Sequence, residues 1–222
     1  VVLDLSASLR ANLLRGGGPL RGSDLRRKLF QQRQKALIVF VIDASESMGE
    51  GAVERIKSAK GAILALLTAA YQNRDQVALV VFRGPRAEVL LQPTSSVLLA
   101  RQQLRRLAIG GATPFADGLR LAWQLIGNER RKQPTLQPQL VIVSDGEANL
   151  PLVPGAEIFP ELFDIAQNIR MSKISALVID SCAGLGNARL RQLAKELDGS
   201  YQQIRELHAG RLLEVVRAAE RP

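Results

Sequence analysis

Four short apolar runs constrain this chain more tightly than anything else in its sequence: ALIVFVID (Ala36 to Asp43), QVALVVF (Gln76 to Phe82), QLVIVSD (Gln139 to Asp145) and ISALVID (Ile174 to Asp180). Each is almost continuously aliphatic and β-branched, without the polar alternation of a half-solvated strand. Strands covered on both faces read this way, so the runs predict a parallel sheet enclosed by helices. Helical stretches fall between them: Ala52 to Asn73, with Val53, Ile56, Ile63 and Leu67 on one stripe, then Val97 to Leu107, Pro114 to Ile126, Pro160 to Met171 and Asn187 to Leu197. A last helix is expected from Glu206 to Ala219. AEVLLQ (Ala87 to Gln92) follows its neighbouring strand after only residues 83–86, too few for a crossover helix, and reads as an antiparallel edge strand in a hairpin. Ser200 to Ile204 supplies a final strand. The expected architecture is α/β, a doubly wound, mostly parallel, Rossmann-like sheet of about six strands with one antiparallel edge.

The charge is unevenly placed. Of the formal net charge of +9, residues 1–35 carry +6, from eight basic residues against Asp4 and Asp24. That stretch holds Gly16-Gly17-Gly18-Pro19 and no sustained apolar period, which predicts a basic arm or linker over 1–35 ahead of a domain at 36–222. Ser23-Asp24 would cap a short helix running to Lys35. Since the folded part is close to charge balance, the basic pI of 10.4 is no argument for a nucleic-acid-binding domain, and Phe30 is the arm's only aromatic. No run approaches the roughly 20 apolar residues of a membrane span. One cysteine, Cys182, and one histidine, His208, make a zinc site improbable and an internal disulfide impossible. The chain starts at Val1 and reads as a piece of a longer protein.

In open α/β sheets ligands bind beyond the carboxyl ends of the strands, and the oxygen-bearing side chains gather there. The first strand ends in Asp43-Ala44-Ser45-Glu46-Ser47. A second loop reads Gly110-Gly111-Ala112-Thr113-Pro114, with proline suited to the first helical position and Thr113 to the N-cap. A third follows QLVIVS as Asp145-Gly146-Glu147. Asp43, Ser45, Ser47, Thr113 and Asp145 are all hard oxygen donors, a set that suits Mg²⁺, with Mn²⁺ or Ca²⁺ as substitutes. Two carboxylates neutralise a divalent ion, and the neutral hydroxyls leave it able to accept one more anionic oxygen, such as an Asp or Glu of a partner.

D-x-S-x-S, then Thr, then Asp, in this order within an α/β alternation, resembles the metal-ion-dependent adhesion site of the von Willebrand factor type A fold, over residues 36–219. The stretches IVFVIDASESM, SAKGAILALLTAAYQNRDQVALVVFRG, AEVLLQPTSS, GGATPFADGL and VSDGEANLPL are similar to the C-terminal domain of magnesium chelatase D-type subunits. DLRRK resembles the lead-in from those subunits' acidic linker, upstream of which lies an AAA+ module. The resemblance implies a non-catalytic Mg²⁺-dependent module of an enzyme that inserts Mg²⁺ into protoporphyrin IX at the expense of ATP. Its implied partners are the AAA+ motor subunit and the porphyrin-binding subunit, met through an acidic side chain, in the bacterial cytoplasm or a plastid stroma. One departure is Glu46, where the family usually has glycine; with Glu147 it is a candidate modulator beside the metal.

Other readings compete with these. A cobalt chelatase subunit or another AAA+-associated bacterial protein would carry the same motifs. Ser45 and Ser47 alone would serve as helix caps, and Asp145-Gly146 alone as a turn. A Mg²⁺-dependent phosphohydrolase would need an acid two residues after Asp43, where Ser45 stands. Gly184-Leu185-Gly186 lacks the third glycine of a dinucleotide fingerprint, because Arg189 occupies it. Arg101, Arg105 and Arg106 form a basic helix face, either solvated or a partner-docking surface. Trp123 is most simply a core residue, and His208 a surface one.

Overall fold

The computed structural model of the chain describes residues 3–28, 35–45, 60–61, 64–65, 68, 75–107, 110–182, 186–204, 210, 214 and 216. It divides into two compact units, Val1–Arg33 and Gln34–Pro222.

The second unit is built on one six-stranded sheet in the order β3-β2-β1-β4-β5-β6. The strands are β1 (Ala36–Asp43), β2 (Gln76–Arg83), β3 (Arg86–Thr94), β4 (Gln137–Ser144), β5 (Ser175–Asp180) and β6 (Ser200–Gln203). All neighbours are parallel except β2 and β3, which form the expected hairpin. The helices whose bounds lie among the described residues are α2 (Val97–Arg105), α3 (Phe115–Lys132), α4 (Ile158–Met171) and α5 (Ala188–Glu196), with α1 (Leu5–Leu14) in the first unit. The period of two along each strand divides the core. Ile38, Phe40 and Ile42 pack on one face with Ala100 and Leu104 of α2. Leu37, Val39 and Val41 face α3, α4 and α5 through residues such as Leu119, Leu162 and Leu190. Both faces are covered, which is why the strands carry no polar alternation.

Among the boundaries that differ from expectation, three concern α3 and β4. α3 continues six residues past Ile126, to Lys132, because Asn128-Glu129-Arg130-Arg131-Lys132 forms a polar last turn whose basic groups suit a helix C-terminus. Its N-cap position is Pro114, with φ −79° and ψ 67°, and no side chain caps it, so Thr113, predicted as the N-cap, stands one residue before it. β4 runs from Gln137 to Ser144, leaving Asp145 just beyond the strand end. Trp123 is half-buried at the core's edge, its indole N–H donating to Ser172 Oγ at 3.1 Å. Val53, Ile56, Ile63 and Leu67 lie outside the described residues, as does His208; residues 60, 61, 64, 65 and 68 are helical, as are 210, 214 and 216.

The first unit is more ordered than an arm. α1 begins at Asp4, whose Oδ1 accepts from Ala7 N at 3.0 Å. Asp24 does not open a helix toward Lys35: it closes a 3₁₀ turn at Gly22–Asp24, and Leu25 is extended. Its carboxylate is already engaged by Arg15 at 2.8 Å, Asn12 at 3.3 Å and Arg21 N at 2.9 Å. The Arg15 guanidinium holds the Asp24 carboxyl well below the usual carboxylate range. Buried Ser8 and Asn12 make up the inner side of α1, while Leu5, Leu9 and Leu13 are exposed.

Candidate metal centre

The parallel register of β1 and β4 decides what Asp43 meets. Ile42 is paired with Val143, so Asp43 and Ser144 come side by side at the carboxyl ends of the two strands. This is also where strand order reverses, with β2 and β3 on one side and β5 and β6 on the other. Ser144 Oγ donates to Asp43 Oδ2 at 2.9 Å, and Ser45 donates to Oδ1 from its backbone N at 3.0 Å and from its hydroxyl at 2.5 Å. Asp43, Ser45, Ser144 and Thr113 are inaccessible to solvent, and Asp145 is 9% exposed.

Three loops are tied around this point. Gly110 N donates to Ala44 O at 2.9 Å, joining the loop before α3 to the end of β1. Gly111, at φ +86°, lies so close to the β2–β3 turn that a Cβ on it would come within 2.8 Å of Gly84 Cα. Thr113 is bracketed by Asn149: its N–H donates to Asn149 Oδ1 at 2.6 Å, and Asn149 N donates to its carbonyl at 3.3 Å. Beyond β4, Gly146 N donates to Ser144 Oγ at 3.0 Å and Glu147 N to Asp145 Oδ1 at 3.0 Å, folding the loop back on itself. Asn187, the N-cap of α5, donates from Nδ2 to Asp145 O at 2.8 Å. Its backbone N donates to Asp180 Oδ2 at 2.6 Å, so α5 and the end of β5 support the Asp145 loop.

Electrostatics at the centre are unbalanced. Burial, opposed in part by the Ser45 and Ser144 hydrogen bonds and assisted by the nearby Asp145 charge, pushes the Asp43 carboxyl up to about 7. Neither aspartate belongs to any ion pair among the described residues. Nor do those residues include a cluster of three or more His, Cys, Asp or Glu. The chemistry is that of two adjacent carboxylates with hydroxyls, without soft donors. Such a set fits a hard divalent cation, which would remove the repulsion that Asp43 and Asp145 otherwise share.

The structure thus brings together Asp43, Ser45 and Asp145, and holds the Thr113 loop against them through Asn149. Ser47 and Glu46 lie outside the described residues, and Glu147 is exposed. Arg101, Arg105 and Arg106 are exposed at α2, which covers the sheet face opposite α3, and they are not part of this centre. Sequence reasoning missed Ser144, Asn149 and Asn187. Only Ser144 had a signal, its place between a buried strand and Asp145-Gly146. A Cβ at Gly146, whose φ is +84°, would lie 2.4 Å from Asn187 Nδ2 and 2.9 Å from Leu190 Cγ. Gly146→Ala should therefore cost about 1–3 kcal/mol in a denaturant titration and displace Asp145.

The sequence profile of the von Willebrand factor type A domain matches residues 38–147, from within β1 to just past Asp145. The chain belongs to the von Willebrand factor type A family. Its type A domain superposes on the solved VWA domain of SpRpn10 with a TM-score of 0.61, over 83% of this chain and 95% of that one. At 16% identity that likeness concerns the fold alone. Closer in sequence is the magnesium-chelatase 67 kDa subunit of Chlorobaculum parvum, 35% identical over 202 residues that cover 86% of this chain and 32% of that subunit. The uncharacterized protein Rv2850c of Mycobacterium tuberculosis is 38% identical over 207 residues, covering 91% and 32%. The type A chain therefore spans 32% of the length of each of these two relatives.

Proposed function

We propose that this type A domain is a Mg²⁺-dependent interaction module of a magnesium chelatase D-type subunit. The observation that carries the reading is the buried Asp43 beside Asp145, with Ser45 and Ser144 on the Asp43 oxygens and no basic partner among the described residues. Asp43, Ser45, Ser47, Thr113 and Asp145 would hold the ion. When bound, Mg²⁺ supplies an exchangeable position that a carboxylate from a partner can take. The protein's part is to keep the donors in place. Ser144 orients Asp43 from β4, Asn149 holds the Thr113 loop, and Asn187 fixes the carbonyl side of Asp145.

The similarity to chelatase subunits supports a partner of the same kind, the AAA+ motor subunit, with the porphyrin-binding subunit as the further member of the assembly. On this reading the domain makes and breaks no covalent bond; ATP hydrolysis and metal insertion belong to other parts of the complex. Among the described residues no helix is long and apolar enough to cross a membrane. The test is a binding titration against the AAA+ chelatase subunit of the same genome. Affinity should fall at least about tenfold on replacing Mg²⁺ with EDTA, and likewise in Ser45→Ala, whose melting curve checks folding. Binding indifferent to both changes would refute the proposal.

A further inference from the structure

Beside this centre the chain has a second feature that the metal chemistry does not use. A cleft of about 440 Å³ opens between the β2–β3 turn, the first turns of α3 and residues 150–152. Its charged members are Arg86, Asp117 and Arg120, and its apolar walls include Pro85, Leu150 and Leu152. The cleft borders the proposed metal face. Pro114, which also lines it, directly follows Thr113, and Leu150 directly follows the Asn149 that brackets Thr113.

The polar groups of the cleft do not cancel. Asp117 is engaged at both oxygens: Oδ2 accepts from Ala87 N at 2.8 Å and Oδ1 from Arg120 Nη2 at 2.6 Å. Arg120 keeps donors to spare. Only Nη2 is engaged by Asp117, and the side chain is 37% exposed, so the outer end of the guanidinium can meet a second carboxylate while the buried Nε stays behind it. Arg86 is exposed and in no ion pair among the described residues. Among the lining residues two guanidiniums stand against one carboxylate, and the neighbouring Glu161 carboxylate is turned onto Leu152 N at 2.7 Å and Val153 N at 2.9 Å, so Arg86 offers the charge that no described carboxylate pairs. Arginine forks match a planar carboxylate, and the proline and leucine walls suit an aliphatic neighbour.

We propose that this cleft is a second anchor for an acidic segment of a partner protein. One carboxylate of the segment sits at Arg86 and Arg120 with an aliphatic side chain against Leu150 and Leu152, while another reaches the metal. The placement of that other carboxylate rests on the function proposed above; the cleft's own selectivity does not. Two weak anchors on one segment reinforce each other, since engaging the first raises the local concentration of the second.

The test uses the full chain and a fluorescein-labelled dodecapeptide of alternating glutamate and leucine, read by anisotropy. In Mg²⁺ at about 50 mM salt, Arg86→Glu should weaken binding about tenfold, and the difference should shrink at about 500 mM. Arg120→Gln should weaken it in the same direction, while Arg170→Glu on α4 should not. The Arg86 effect should persist in EDTA, on top of a separate loss from removing Mg²⁺. Wild-type affinity in both arginine variants overturns the cleft and leaves the metal reading standing. Loss in the arginine variants with no response to Mg²⁺ does the reverse. Failure of the wild-type chain to bind the peptide, or tighter binding of an oligouridine of equal length, also overturns the cleft.

Discussion

Replacing Asp43 with asparagine is expected to raise the thermal midpoint of the EDTA-treated chain at about pH 8 and to abolish its stabilisation by Mg²⁺. Folding moves this carboxyl from 3.8 to about 7, mainly because burial disfavours its charge. A carboxyl raised on folding contributes stability that is full below its unfolded value and is lost as pH climbs through the folded one. Metal-free wild type should thus be more stable near pH 5 than near pH 8, by up to about 2.5 kcal/mol. Asparagine carries no charge to bury. Its Oδ1 can still accept from Ser45, and its Nδ2 can donate to Ser144 Oγ, so the gain should survive as a rise of several degrees. The same titration predicts the behaviour of the metal. Mg²⁺ competes with the proton on Asp43, so its affinity should fall about tenfold per pH unit below 7. Melting curves with and without Mg²⁺ across that range check both statements; a midpoint rising with pH in EDTA would contradict them.

Phe115→Ala should be the most damaging single change outside the centre. Phe115 opens α3 two residues after Thr113, is fully buried, and stacks on Phe82 with ring centroids 4.8 Å apart and planes 12° from parallel. Truncation removes a large apolar area and leaves a cavity between α3 and β2, at a cost of about 3–5 kcal/mol. For a domain of this size that lowers the midpoint by roughly 10 °C. Because the cavity forms directly under the Thr113 turn, Mg²⁺ affinity should fall as well. A change below about 1 kcal/mol in denaturant would mean that the stack is not load-sharing with the rest of the core.

The strands were legible because nothing but a doubly covered sheet needs four such apolar runs, and the hairpin was legible because residues 83–86 leave no room for a crossover. Asp43 and Asp145 could be nominated for the same reason, since a strand's last residue and the residue after it must emerge at the carboxyl edge. Ser144 as the partner of Asp43 depends on the pairing of Ile42 with Val143, a relation between strands 101 residues apart that neither run encodes. Asn149 and Asn187 act from irregular segments through one side-chain amide each, which leaves no periodic trace. α1 escaped notice for the opposite cause. Its polar residues Ser8 and Asn12 are the buried ones, and its stability comes from the Asp4 cap and the Asp24 network in place of an apolar stripe turned inward.

Asp43 and Asp145 are proposed to hold one divalent cation between them. Calorimetric titration of Mg²⁺ into the chain at about pH 8, beside Asp43→Asn and Asp145→Asn, checks this without any partner present. A single site is expected in the wild type, lost in each variant while each remains folded by circular dichroism. Equal heats and stoichiometry in all three proteins, or no Mg²⁺ binding by the wild type, would contradict it.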